Sequence, residues 1–363
     1  MTINENDIQN SLKTLLDPNT GRDFITSKSA KNIQMSGNNI SLDIVLGYPA
    51  KSVMSSVQAL VIQHLKKLDG VDNVSVNIGS RIAAHKAQQG VTLLPNVKNI
   101  IAIASGKGGV GKSTTSVNLA LALAAEGASV GLLDADIYGP SQPQMLGISG
   151  GRPESSDGKS MEPMMAHGIQ AMSIGFLIDN DTPMVWRGPM VTGALEQLLR
   201  ETKWRDLDYL IIDLPPGTGD IQLTLAQKIP VTGAIIVTTP QDIALLDARK
   251  GLKMLEKVGI PILGIVENMS THICSNCGHE EHIFGAGGGA LMCKDFNVDL
   301  LGSLPLDIKI REQSDGGNPT VISEPDGQIA AIYKQIARAA AIKIANAGLD
   351  HSSKFPNIVI QNT

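Results

Sequence analysis

The residues with the clearest chemistry lie in a glycine-rich segment of the chain. Gly106–Ser113 fits the pattern G-x-x-x-x-G-K-[ST], between an apolar run, Ile100–Ala104, and a helical pattern, Thr114–Glu126. In this context the loop N–H groups and the helix N-terminus can cradle phosphates. We therefore predict a phosphate-binding loop. Its nucleotide-binding residues are Gly106, Lys107, Gly108, Gly109, Val110, Gly111, Lys112, Ser113 and Thr114.

A lysine, a hydroxyl and a distant carboxylate predict how phosphates and a metal ion are held. In loops of this kind the lysine at the position of Lys112 reaches the β- and γ-phosphates, and the hydroxyl at Ser113 binds Mg²⁺. Asp213 ends the apolar run Tyr209–Asp213, which places a carboxylate at the carboxyl edge of the sheet. The sequence therefore predicts Mg²⁺ held by Ser113 and Asp213.

Two further carboxylates predict water activation at the same edge. Asp134 and Asp136 follow the apolar run that begins at Val130. Carboxyl ends of parallel strands meet at one edge of a sheet, so one of the two aspartates can orient the attacking water.

The identity of the base is predicted from an absence and from one amide. No N/T-K-x-D tetrapeptide, the guanine-reading loop of small GTPases, occurs in the chain, which favours ATP. Asn268, directly after the apolar run Ile262–Glu267, can both donate to and accept from the adenine edge.

A close pair of cysteines predicts metal chemistry. Cys274 and Cys277 lie in a short segment after the same apolar run. Two thiolates are half of a Cys₄ site, and in a two-fold dimer the two copies together can hold one [4Fe–4S] cluster. Cys293, among apolar neighbours, is predicted to be a core thiol.

Three other interpretations of the cysteine pair remain open. The pair can share a zinc ion with two histidines of the same chain, share a zinc ion across a dimer, or act as a redox pair. The ligands of the first alternative are Cys274, Cys277, His279 and His282.

The apolar pattern predicts an α/β fold: a mostly parallel, doubly wound P-loop NTPase sheet with a small N-terminal α+β domain. The large domain, predicted for residues 97–348, contains apolar runs that do not alternate, which is typical of strands covered on both faces. The pattern of residues 1–80 predicts, in order, a helix, two strands joined by a turn at Asn38-Asn39, a second helix and a third strand. Residues 81–96 are predicted to be a linker, and residues 349–363 a polar tail.

Composition excludes several classes of protein. Lys and Arg total 30 against 35 Asp and Glu, a net charge of −5, which argues against a general nucleic-acid binder. No secretory signal and no apolar run of about 18 residues is found, so we expect no membrane partner and a cytoplasmic setting.

Several motifs together resemble one known family. Lys107 is a second lysine in the loop and resembles the deviant Walker A of septum-site-determining, chromosome-partitioning and nitrogenase iron-protein ATPases. Within that group the chain is similar to the Mrp/ApbC iron–sulfur carriers, and residues 1–80 are similar to the iron–sulfur-assembly domain often fused to them. The motifs are Asp134–Ser141, Trp186–Met190, Asp213–Asp220, Glu267–Ser270 and Cys274-x-x-Cys277.

The resemblance implies an ATP hydrolase that works as a homodimer. Lys107 of one subunit would reach the phosphates of the other, and the water-positioning residue maps onto Asp136. The implied function is an ATP-dependent [4Fe–4S] scaffold or carrier that receives its cluster from a donor scaffold and passes it to apo iron–sulfur proteins. The alternative is a positioning or partitioning ATPase with a structural zinc at the cysteine pair.

Overall fold

The computed structural model describes residues 4–88, 91–178, 188–274 and 276–348. The predictions for Trp186, Arg187, the tail 349–363 and parts of the linker fall outside the described residues. Among helices within those ranges, none combines the length and hydropathy needed to cross a bilayer.

The N-terminal domain is a three-stranded sheet with two helices. Strand order is β1-β2-β3, with β1 and β2 antiparallel and β2 and β3 parallel. The turn between the first two strands is formed by Gly37 and Asn38, one residue earlier than predicted, since Ser36 pairs with Asn39 and glycine readily takes the φ of +61° found at Gly37. The elements are α1 (Glu5–Thr14), β1 (Ala30–Ser36), β2 (Asn39–Leu46), α2 (Met54–Leu65) and β3 (Asn73–Ser80).

The large domain is organised around an eight-stranded sheet of order β13-β10-β9-β4-β8-β5-β7-β6. All neighbours in it are parallel except β6 and β7, which confirms the predicted mostly parallel P-loop NTPase sheet. Its strands are β4 (Val97–Ala104), β5 (Val130–Asp134), β6 (Met164–Ala166), β7 (Ile169–Ser173), β8 (Leu207–Asp213), β9 (Gly233–Thr238), β10 (Ile262–Glu267) and β13 (Leu300–Ser303); β11 (His272–Ile273) and β12 (Glu280–Glu281) form a separate hairpin.

Helices cover both faces of this sheet. Alternate residues of one strand enter different cores: Ile101 packs in the core that includes residues of the first and last helices of the domain, and Ile100 packs in the core on the other face. This explains why the strands read as unbroken apolar runs. The helices are α3 (Lys112–Ala125), α4 (Gln142–Met145), α5 (Gly188–Glu201), α6 (Asp220–Lys228), α7 (Asp242–Lys257), α8 (Gly288–Phe296), α9 (Ile308–Asp315), α10 (Thr320–Ser323) and α11 (Gln328–Ala345).

Two features of the fold were not predicted. The hairpin β6–β7 adds two strands at one edge of the sheet; both are short, and the first is antiparallel. The predicted linker also runs along the large domain: Lys86 N–H donates to the Gly348 carbonyl, and Gln88 N–H donates to the Val231 carbonyl.

A buried carboxylate joins the two domains. Glu126, at the end of α3, has no exposed surface and accepts hydrogen bonds from Ser52 Oγ at 2.6 Å and Arg338 Nη1 at 2.9 Å. Ser52 belongs to the N-terminal domain and Arg338 to α11. The helix that carries the phosphate-binding loop is therefore also the helix on which the N-terminal domain rests.

Candidate functional site

The glycine-rich segment forms the loop predicted for it, between the end of β4 and the start of α3 at Lys112. Gly106 packs against the backbone of Asp247 in α7. At Gly111 φ is +84°, and a Cβ there would lie 2.1 Å from Asn268 Nδ2. Only glycine satisfies both conditions at position 111.

Lys112 and Asp213 form a buried ion pair at the start of α3. Lys112 Nζ donates to Asp213 Oδ1 at 2.6 Å and to Ser113 Oγ at 3.2 Å. The lysine is 6% exposed and the aspartate is fully buried. The structure thus brings together the groups that were predicted separately for phosphate and for Mg²⁺, and each neutralises the other.

Two residues that were not predicted complete the surroundings of Asp213. Ser116 Oγ donates to Asp213 Oδ1 at 2.8 Å. Gln142 Nε2 donates to Asp213 Oδ2 at 2.9 Å and to the Ser113 carbonyl at 3.1 Å. Gln142 follows the Asp134 strand in sequence, and nothing in its spacing indicates that it reaches a residue 71 positions away.

The donor set fits a hydrated magnesium ion. In the part of the chain that the structure describes, Gln142 Oε1 and Ser141 Oγ are buried side-chain atoms that lack a hydrogen-bond partner. The Gln142 side chain contacts Asp213 and the Ser113 carbonyl, so its amide oxygen, with the Ser113 hydroxyl and the Asp213 carboxylate, is a hard ligand or a partner for metal-bound water. Ser113 and Asp213 would hold the ion, an assignment that stays a prediction, and Gln142 would orient the carboxylate.

Asp134 and Asp136 differ in environment. Asp134 is fully buried; its carboxylate accepts from Ser173 Oγ and from the N–H groups of Asp136, Ser141 and Gln142. Burial and the charge of Asp213 raise the pKa of Asp134 to about 7. Asp136 is partly exposed, and burial raises the pKa of its carboxyl as well. Asp134 thus shapes the 136–142 segment, whereas Asp136 retains access to solvent.

Lys107 and Asn268 have different surroundings. Lys107 is exposed and lines a cavity of about 290 Å³ together with Gln241, Met269 and Phe284. Asn268 is 8% exposed, and its Nδ2 donates to the Val110 carbonyl at 2.9 Å. The amide therefore holds the loop in this structure, and its contact with adenine stays a prediction.

The cysteine pair lies at the tip of the hairpin formed by β11 and β12. Cys274 N–H donates to the His279 carbonyl at 2.9 Å, and Gly278 N–H donates to the Cys274 carbonyl at 2.8 Å. Cys277 is exposed and Cys274 partly exposed. The N–H groups of Cys277 and Asn276 donate to the Cys274 sulfur and lower the pKa of its thiol, which favours the thiolate that binds metals.

The ligands of the single-chain zinc alternative are not gathered together. His282 Nδ1 donates to the Ser270 carbonyl at 3.0 Å, and His279 Nε2 lies 3.9 Å from Glu281 Oε1. Among the described residues, no group of three or more His, Cys, Asp or Glu side chains has metal-binding geometry. Cys293 is 8% exposed, as predicted for a core thiol, and burial raises its pKa to about 11.

Comparison with known proteins gives matches to both domains. The family described as NUBPL iron-transfer P-loop NTPase matches residues 96–341, and the family described as iron-sulfur cluster assembly protein matches residues 5–78.

Individual proteins agree with the family matches. An iron-sulfur cluster carrier protein of Pseudomonas fragi is 63% identical over 274 residues, which are 75% of this chain and 96% of that protein. One of Escherichia coli strain K12 is 50% identical over 337 residues, 93% of this chain and 91% of that protein. A nucleotide-binding protein of Archaeoglobus fulgidus, solved in complex with ADP, is 38% identical with a TM-score of 0.56, covering 64% of this chain and 90% of that one.

Proposed function

The chain belongs to the NUBPL iron-transfer P-loop NTPase family, and on this basis we propose that it is an ATP-dependent carrier that holds a [4Fe–4S] cluster between two subunits and transfers it to apoproteins. The observation that carries the proposal is the pair of solvent-accessible cysteines on a hairpin beside a complete phosphate-binding loop. The names of the relatives, iron-sulfur cluster carrier proteins, support the same cargo.

ATP binding must rearrange the buried ion pair. The γ-phosphate would compete with Asp213 for Lys112, and the released Asp213 carboxylate would then be available to hold Mg²⁺. Mg²⁺ would supply charge neutralisation at the β- and γ-phosphate oxygens. Ser113 and Gln142 already contact Lys112 or Asp213, so the exchange moves charges over short distances inside a water-poor site. When no nucleotide is bound, the ion pair neutralises the charges of Lys112 and Asp213, which would otherwise be buried without a partner.

We expect Asp136→Ala and Asp134→Ala to fail for different reasons. Asp136→Ala removes the partly exposed carboxylate that can orient water and should lower turnover by about 10²-fold or more with little change in stability. Asp134→Ala leaves four donors, two of them buried, without their acceptor and should lower the free energy of unfolding by on the order of 3 kcal/mol. Steady-state ATPase assays and urea unfolding of both variants distinguish the roles. Full turnover in Asp136→Ala would move water activation elsewhere.

Gln142→Ala should weaken the binding of Mg²⁺ and leave the affinity for the nucleotide unchanged. Loss of a residue that orients a metal-binding carboxylate typically costs 10- to 100-fold in metal affinity. We expect the Mg²⁺ concentration for half-maximal ATPase activity to rise by about tenfold. Gln144→Ala is the matched control, because Gln144 lies in the same short helix but donates to the Asp315 carbonyl. Equal Mg²⁺ dependence in the two variants would remove Gln142 from the site.

Two subunits are needed because the hairpin of one chain offers two cysteines and a Cys₄ cluster site needs four. The surface around them suits a partner: Ile273, in the first arm of the hairpin, and Ile283, just after the second arm, are 54% and 52% exposed. Apolar side chains exposed beside the cysteines are typical of an interface that closes when the ligands of two copies meet. Lys107, exposed in the loop, would then act on the phosphates of the partner subunit.

Anaerobic reconstitution tests the proposed function. Purified protein is incubated with iron and sulfide, and iron, sulfide and subunit mass are measured. We expect about four iron atoms per dimer. The loaded protein should activate an apo-acceptor that requires a [4Fe–4S] cluster, and transfer should respond to Mg·ATP. Absence of bound iron, or one tightly held zinc ion per chain in freshly isolated protein, would contradict the proposal.

A further inference from the structure

A carrier driven by ATP requires that the phosphate-binding loop and the cysteine pair respond to each other. Only five residues separate Asn268, which contacts the loop, from Cys274. Residues 268–271 begin with Asn268, directly after β10, and lead into β11, which Cys274 follows. We call this stretch the connecting segment.

The loop end of the connecting segment is held by one amide. Asn268 Nδ2 donates to the Val110 carbonyl at 2.9 Å, across 158 residues of sequence. The backbone N–H of Asn268 donates to the Thr238 carbonyl at 2.7 Å, which fixes the residue at the edge of the sheet. The amide also fills the space beside Gly111, so it contacts the loop where phosphate must bind.

The other end of the connecting segment is bonded to the cysteine hairpin. The Ser270 carbonyl accepts from His282 Nδ1 at 3.0 Å, and the side chain of Ser270 donates to the Leu304 carbonyl at 3.0 Å. His282 follows the second arm of the hairpin, and His272, in the first arm, donates from Nδ1 to the Leu306 carbonyl at 3.0 Å. Both arms of the hairpin are therefore anchored at or near the connecting segment.

The middle of the segment touches the same cavity as the loop. Met269 has a φ of +56°, an uncommon value for a side chain of this size. It lines the 290 Å³ cavity together with Lys107 and with Phe284, which lies just beyond the hairpin. A shift of the loop can therefore be passed toward the hairpin by two routes. One is the hydrogen bond from the Asn268 amide, and the other is the wall of the cavity that Lys107, Met269 and Phe284 share.

We infer that Asn268 is a positioning residue that couples the two sites: its amide is shared between the Val110 carbonyl and the nucleotide, and the exchange moves the connecting segment and the cysteine hairpin. This inference rests on the proposed function. Its physical basis is a single amide with two alternative partners, which is a two-state element that both sites can bias. By linkage, occupancy of the cysteines must in turn change nucleotide affinity by the same factor.

Thiol alkylation tests the coupling without iron. The rates at which Cys274 and Cys277 react with iodoacetamide are measured by mass spectrometry with and without a non-hydrolysable Mg·ATP analogue. Protein concentration is kept where sedimentation shows a monomer, so that dimer closure does not contribute. Bound nucleotide is measured directly in each variant. In the wild type we expect the two rates to differ by about fivefold or more, the scale of ordinary coupling between sites.

Three variants locate the coupling. Asn268→Ala cuts the bond to the loop, and His282→Ala cuts the bond to the hairpin; in both, the ratio of alkylation rates should fall to about one at saturating analogue. Ser270→Ala is the matched control, because it lies in the same segment, keeps the carbonyl that His282 uses, and should retain the wild-type ratio.

The outcomes are decisive in each case. A wild-type ratio of one, an unchanged ratio in Asn268→Ala that binds the analogue, or loss of the ratio in Ser270→Ala would overturn the inference. If Asn268→Ala does not bind the analogue, His282→Ala decides alone, and an unchanged ratio there would overturn it. Failure of cluster loading with intact coupling would instead contradict the proposed function, because alkylation does not depend on iron.

Discussion

Replacing Cys274 and Cys277 together by alanine should abolish cluster binding and cluster transfer, while ATP hydrolysis continues at most of its wild-type rate. Thiolates are the soft ligands that iron–sulfur clusters require, and these two lie on an exposed hairpin tip where a second copy can supply the other two. The two cysteines lie at the tip of the hairpin, whereas the phosphate site is built from the loop, Asp213 and Gln142. Iron analysis and visible absorption after anaerobic reconstitution, together with an ATPase assay, measure both expectations.

Each single variant, Cys274→Ala and Cys277→Ala, should have the same effect, since the two thiolates that remain per dimer do not complete the site. Cys293→Ala is the matched control: its sulfur is buried in the core of the large domain, so the cluster should be retained. A full cluster in the double variant would remove the assignment. If the wild type contains zinc and variants at His279 or His282 do not, the single-chain zinc alternative is favoured.

Replacing Lys107 by alanine should lower ATP turnover by about 10³-fold or more while sparing nucleotide binding by the monomer. A cation that enters from a partner subunit and neutralises transition-state charge is worth about 10³ to 10⁵ in kcat. Lys107 is exposed in the single chain, so its replacement should leave the stability of the monomer unchanged. Turnover, nucleotide affinity by calorimetry and sedimentation with a non-hydrolysable analogue measure the three effects, and nucleotide-dependent dimerisation should be lost.

Lys112→Ala is the comparison that gives the Lys107 result its meaning. Lys112 is buried on Asp213, so its removal leaves an uncompensated carboxylate as well as weaker phosphate binding. Loss of one partner of a buried ion pair typically costs about 3–5 kcal/mol, so this variant should also unfold at lower urea. Equal loss of nucleotide binding in the two lysine variants would show that Lys107 is only a residue of the loop.

The roles of two aspartates show where sequence reasoning stops. Asp134 ends β5 and Asp136 lies two residues further on, and their types and spacing allow either to orient water. The structure separates them because the chain turns back after β5 and brings Ser141, Gln142 and Ser173 onto Asp134 alone. Local spacing cannot express such contacts, since the donors come from a loop and from a strand whose positions depend on the whole sheet.

The sequence by itself determined the phosphate-binding loop, the parallel sheet and the cysteine pair. A loop between strand and helix, unbroken apolar runs, and two thiols three residues apart are local patterns, and each has few structural solutions. Only the tertiary structure decided that Lys112 rests on Asp213, that Gln142 orients this carboxylate, and that Asn268 holds the loop. Lys112 and Asp213 are 101 residues apart, and Asn268 and Val110 are 158 apart. Contacts over such distances exist only because packing of the sheet and its helices brings the strand ends to one edge, and no property of the separate segments specifies them.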